Sequence, residues 1–215
     1  MEIDNQDSAA NSVGPTGTTN LRRLPFWPTI AADLNRYGEG VSLRSFLKSF
    51  VLNPGFKYTV WMRLAGALRT MGPLTRPLYA WCRLAHHRCS VKYGISIPYN
   101  TRVGPGLYIG HYGGIVVSDQ AEIGRDCNIN HGVTIGVKYG GKSPGVPRIG
   151  DRVYLGPGAK VIGGILVGDD SAIGANSVVV SPVPDRGVVA GVPARLISTR
   201  GSETYVVNTG WDGDH

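Results

Sequence analysis

The sequence predicts a mainly β protein, a parallel β-helix preceded by a short N-terminal α-helical cap. Three observations carry that prediction. Apolar residues fall at helical spacing before residue 93 and at a spacing of six after it, and glycine repeatedly follows the residue that recurs every sixth place. Glycine supplies 31 of the 215 residues, yet 42% of the chain is apolar, so many turns coexist with enough material for a core. Collagen is excluded, because the glycines keep no three-residue period.

Residues 1–20 are small, polar and aperiodic, and are expected to be a disordered tail, as are the last six or so residues within a C-terminal tail over 199–215. The start lacks the basic and apolar stretches of a secretory signal, and no run approaches 18 apolar residues. Cys82, Cys89 and Cys127 form neither an even set nor a CxxC pair, which suits reduced thiols. The expected location is cytoplasmic.

Residues 21–93 read as a basic helical cap of two or three helices. Leu43, Phe46, Leu47, Phe50 and Val51 make one helical set with Ser42 as N-cap, broken by Asn53-Pro54-Gly55. Trp61, Leu64, Ala65 and Leu68 make a second, closed by Gly72-Pro73. A third starts at Pro77 and puts Leu78, Trp81, Cys82 and Ala85 on one side. Between 21 and 92 the chain carries twelve Lys and Arg against Asp33 and Glu39, so the net charge of +7 belongs to this segment. Such a segment suits an anionic partner, and peripheral contact with the inner membrane face is one expectation; a solvated helical face is the plainer one.

From 94 to 198 the six-residue register runs through Ile97, Val103, Ile109 and Ile115, resumes at Ile123, Ile129 and Ile135, and continues at Ile149, Leu155, Val161, Val167, Ile173 and Val179. Glycine follows at 104, 110, 124, 136, 150, 156, 168 and 174. A β-branched residue pointing inward beside a glycine that turns the corner is the steric unit of a coil. The register breaks twice. Two extra residues between Ile115 and Ile123 predict a small bulge, and 137–148, rich in Gly, Lys and Pro, predicts a projecting loop.

Of the five histidines, His86 and His87 read as surface or interface residues and His215 ends the tail. His111 and His131 each follow an inward isoleucine by two places and lie three faces apart. If three faces make a coil, they share an edge in adjacent coils, roughly 4.8 Å apart. Paired imidazoles suit proton transfer near neutral pH. Edge histidines bonded to backbone, or two ligands of a metal shared between chains, are the other readings. No GxSxG, Walker, HExxH or CxxC motif is present, so direct attack by a substrate hydroxyl, with His111 as base, is a better proposal than a protein nucleophile.

The segments GLYIGHYGGIVV (106–117), INHGVTIG (129–136), IGDRVYLGPGAKVIGG (149–164) and IGANSVVVSPVPDRGVVAGVPARLI (173–197) resemble the hexapeptide-repeat acyltransferases, closest to the serine acetyltransferase group. The resemblance implies a left-handed parallel β-helix assembled as a trimer or a dimer of trimers, and transfer from acetyl-CoA to a hydroxyl without a covalent enzyme intermediate or a metal. It implies His111 as catalytic base, with His131 orienting it or holding the acceptor. It implies a cofactor-binding set of Gly136, Gly156, Pro157, Lys160, Gly174, Ala175 and Arg195, in which Pro157 and Ala175 line the pantetheine channel and Lys160 and Arg195 meet phosphate. Lys138, Lys142 and Arg148 suit the anionic donor. Four positions depart from the serine acetyltransferase pattern: Gly110, Ser96 and Asn53 stand where it has Asp, and Val146 where it has His. With HYGGIVV and NHGVTIG also resembling the capsule, exopolysaccharide and colanic acid acetyltransferases, the leading expectation is acetylation of a sugar or polysaccharide-precursor hydroxyl. The alternatives are serine O-acetylation in cysteine biosynthesis and a non-catalytic or metal-binding β-helix; no nucleic-acid partner is expected.

Overall fold

The computed structural model of the protein describes residues 25–38 and 40–211; the expected tail over 1–20 lies outside the described residues. Three parallel sheets form the sides of a left-handed β-helix. One face stacks Ile95–Ser96, Ile115–Val117, Thr134–Gly136, Lys160–Ile162 and Val178–Val179. The second stacks Arg102–Val103, Glu122–Ile123, Arg148–Ile149 and Leu166–Val167. The third stacks Asn128–Ile129, Tyr154–Leu155, Ala172–Ile173 and Val188–Gly191, closed by the antiparallel strand Ala194–Ser198. The inward residues of the faces are fully or nearly fully buried in one continuous core. Each buried Ile or Val contributes about 1.5–3 kcal/mol, so the core grows with every coil.

The first register break lies elsewhere than the sequence suggests. Val117, not Ile115, pairs with Ile135, and the Val116 amide donates to the Val133 carbonyl, which sets Ile115 in line with Val133. Both Ile115 and Val117 are buried, so either satisfies a pattern that asks only for a β-branched residue. The two extra residues therefore enlarge the turn at 110–114, which carries His111, and Ile123 follows Val117 at the regular spacing. The segment 137–148 is a short hairpin: the Lys138 and Gly145 amides donate to each other's carbonyls, and Tyr139 at its tip is almost fully exposed.

The cap has four α-helices among the described residues: α1 (Phe26–Asn35), α2 (Leu43–Leu52), α3 (Pro54–Leu68) and α4 (Arg76–Tyr93). Ser42 and Ser45 cap α2 reciprocally, each hydroxyl accepting from the other's backbone amide. Pro54 both ends α2 and opens α3, where its missing amide costs nothing. α1 was not expected, because FWPTIAADLN has too short an apolar stripe to register as a helix. It joins the cap to the first coils. Asp33, fully buried, takes two hydrogen bonds from Arg63 at 3.1 and 3.2 Å and one from the Leu107 amide at 2.8 Å. Arg63 also donates to the Val103 and Gly104 carbonyls. Arg36 is buried as well, donating to the carbonyls of Gly106 and Val207 and to the Asn128 side chain.

Several cap side chains face opposite to expectation. Phe46 and Phe50 turn inward on α2, leaving Leu43, Leu47 and Val51 exposed, and on α4 Cys82 is buried while Leu78 and Trp81 are exposed. His86, expected at a surface or an interface, is buried with its ring against Tyr58 and Tyr99, and burial pushes its pKa down to about 4. Because the folded protein holds this imidazole neutral, its stabilising contribution is present above the unfolded value near 6.5 and is lost as pH falls toward 4. Thermal denaturation is expected to show a loss of about 3 kcal/mol across that window that His86→Phe removes; parallel pH profiles for the two proteins would refute it.

The described part of the C-terminal tail is tied to the coils. Ser202 and Val206 are buried, Tyr205 stacks on Tyr154 at 4.6 Å, and the Gly210 amide donates to Asp126. Residues 212–215 lie outside the described residues.

Candidate active site

The corner where the third face turns into the first gathers the chemistry-bearing residues. On successive coils the Gly132 amide donates to the Gly113 carbonyl, Gly158 to His131 and Asn176 to Pro157, so His131, Pro157 and Ala175 form one column. Close stacking there depends on glycine. Gly114, Gly132 and Gly158 have φ of +64°, +70° and +73°, and a Cβ on Gly132 would lie 3.2 Å from the Gly158 Cα. Asn130, just before His131, is buried and donates to the Leu155 carbonyl, which fixes the backbone under the imidazole. Its role was not expected from sequence; an asparagine amid inward-facing residues is the signal that could have revealed it.

His111 stands on the enlarged turn at the head of this column. Its ring lies 6.1 Å from that of His131, centroid to centroid, at 84°. The two are neighbours on adjacent coils, as their shared phase predicts. Both are exposed, and among the described residues neither imidazole is hydrogen-bonded to or ion-paired with a carboxylate. Tyr93 at the end of α4 packs edge-on against Tyr112, bracing the turn from the cap. A hydroxyl thus has room to approach either ring.

The residue before His111 shows why its environment is unusual. A Cβ on Gly110 would lie 2.8 Å from the Tyr108 ring. Tyr108 is held in turn by Tyr37, at 4.8 Å between centroids, and by the Arg36 guanidinium over its face. The space that a side chain at 110 would need is already filled by an aromatic ring. Gly55, at the start of α3, rests directly on the Ile109 backbone, which places the Asn53-Pro54-Gly55 turn beside the same segment. Ser96 pairs with Val116 on the face that follows the turn.

The other expected binding residues divide. Lys160 donates from the first face to the Gly132 carbonyl, so its ammonium reaches the histidine corner. Gly156 and Gly174 lie just ahead of Pro157 and Ala175; a Cβ on either would strike the next coil, at the Ile173 carbonyl and the Ala190 Cβ. Arg195 pairs with Ala190 at the far end of the column and is exposed. Gly136 is not brought to this column: it pairs with Ile162 at the next corner, where the hairpin begins. Lys138 donates to the Lys142 carbonyl within the hairpin, and Arg148 pairs with Glu122. Cys127 is no alternative nucleophile, since burial pushes its thiol up to about 12. A groove of about 630 Å³ beside Met62, Arg69, Tyr99 and Arg102 lies between cap and first coil, away from the histidines. Among the described residues no three His, Cys, Asp or Glu side chains converge as a metal site would require.

A left-handed β-helix with exposed histidines stacked along one corner defines a hexapeptide-repeat acyltransferase. Residues 147–181 match the bacterial transferase hexapeptide (six repeats) family. A serine acetyltransferase of Helicobacter pylori is 38% identical over 160 residues, which cover 74% of this chain and 91% of that relative. One from Mycobacterium tuberculosis is 48% identical over 117 residues, 54% of this chain, although the chain spans only 50% of that relative. The solved structure of Neisseria gonorrhoeae serine acetyltransferase in complex with serine superposes with a TM-score of 0.65 at 31% identity, covering 80% of this chain and 69% of that one. The chain belongs to the serine acetyltransferase family, and it is an acyltransferase whose co-substrate is acetyl-CoA. These relatives favour the serine alternative over the expected sugar acceptor.

Proposed function

We propose that the chain transfers the acetyl group of acetyl-CoA directly to the hydroxyl of L-serine. Similarity to serine acetyltransferases across nearly the whole length of one of them carries this reading. The geometry supplies the means. His111 takes the hydroxyl proton as the oxygen attacks the thioester carbonyl, and returns a proton to the departing CoA thiolate. His131, perpendicular to it, holds the acceptor or the imidazolium in place. Pro157, Ala175, Gly156 and Gly174 offer a smooth wall for the pantetheine arm, with Lys160 and Arg195 as cations for its phosphates. Assembly as a homotrimer or a dimer of trimers belongs to the same reading.

A sugar or polysaccharide-precursor hydroxyl is a second reading, and one observation favours it. An amino acid acceptor asks for a carboxylate to meet its ammonium, yet the residue next to His111 is Gly110, and the Tyr108 ring fills the space a side chain there would need. A neutral acceptor needs no such partner. Thiol release from acetyl-CoA, compared for L-serine and a panel of sugars, nucleotide sugars and glycans, separates the two. Turnover with serine is expected; turnover with a glycan alone would replace serine by the second reading.

A further inference from the structure

The cap presents an outward surface that the transferase reaction does not use. On α2, Leu43, Leu47 and Val51 recur every four residues along the exposed side, with Arg44 and Lys48 beside them. On α4, Pro77, Trp81, Leu84 and Val91 follow one exposed stripe at helical spacing, interrupted by Arg88 and flanked by Arg76 and Lys92. Trp81 is 56% exposed and Leu74, just before α4, is 96% exposed. The two stripes are linked across α3, because Phe50 packs on Trp61 at 5.9 Å and Trp61 on Trp81 at 5.0 Å. Helices of a buried cap put apolar residues inward and charge outward. Here apolar and cationic side chains share the outward side, the composition of a helix lying in a membrane interface.

Charge chooses the occupant. Residues 40–118 hold no Asp or Glu. A second copy of this face would set Arg44, Arg76, Arg83, Arg88 and Lys92 against themselves with no carboxylate from the segment to pair them. An anionic bilayer would neutralise every one, at about 1 kcal/mol per cation near the surface, and would take up the leucines and Trp81. Among the described residues no helix is long and apolar enough to cross a membrane. We propose that the α2–α4 face docks the protein peripherally on an anionic lipid surface, whichever hydroxyl it acetylates.

The test is co-sedimentation of the full chain with vesicles of phosphatidylcholine alone or with about 30% phosphatidylglycerol, at low and high salt, beside the mass in solution. Binding at least ~10-fold stronger to the anionic vesicles, weakened by salt, is expected. Leu47→Glu with Trp81→Glu should abolish it while leaving mass and acetyl transfer unchanged. Absence of anionic-vesicle binding at low salt would overturn the proposal. So would vesicle binding unaffected by the double variant, or a fall in solution mass with that variant, which would assign the face to a second copy.

Discussion

His111→Ala is expected to lower kcat by at least ~10²-fold, the usual contribution of a positioned general base, while KM for acetyl-CoA and the solution mass stay unchanged. Among the described residues the exposed imidazole has no hydrogen-bond partner that would hold the coil together, so its loss reads out on chemistry and not on folding. His131→Ala tests the division of labour: as acceptor holder it raises KM for the hydroxyl substrate more than it lowers kcat. Turnover within a few-fold of wild type in the His111 variant would remove this residue from the base role and point to its neighbour.

Arg63→Ala is expected to destabilise the fold by about 3–5 kcal/mol in urea unfolding, the usual cost of leaving one charge of a buried pair alone. The stranded group would be Asp33, which is fully buried, and the Val103 and Gly104 carbonyls would lose their donor too. Replacing both partners, Asp33→Leu with Arg63→Met, should cost less than the single change, because no charge is left behind. A loss under about 1 kcal/mol for Arg63→Ala would show that the cap and the coils are joined by packing instead.

The β-helix was legible because its repeat demands the same residue type at the same place on every coil. The histidine pair was legible for the same reason: two side chains in one phase, three faces apart, must be neighbours. What the repeat could not locate was the insertion, since Ile115 and Val117 both satisfy an inward position and only the pairing of Val117 with Ile135 decides between them. Gly136 lies at a different corner from the other expected binding residues, because glycines recur at each corner and the period does not say which corner a ligand would use. The cap's outward leucines reversed expectation because helical spacing identifies a stripe without saying which way it points. α1 and its ion pair were invisible for a different reason. Asp33 and Arg63 are thirty residues apart in sequence, and nothing local marks them as partners.

The segment after the last strand runs back along the outside of the helix. Ser202 bonds to the Asp170 and Arg152 carbonyls, the Tyr205 carbonyl receives Asn128, the Val207 carbonyl receives Arg36 and the Asn208 carbonyl receives Asn35. Stacked coils normally touch only their neighbours, so such an array can peel from either end one rung at a time. A strap that fastens late coils, early coils and α1 in a single line turns the stack into a circuit. Opening any one rung then strains all the others, and slow amide exchange should extend to the outermost coils at one common free energy instead of fading toward the ends.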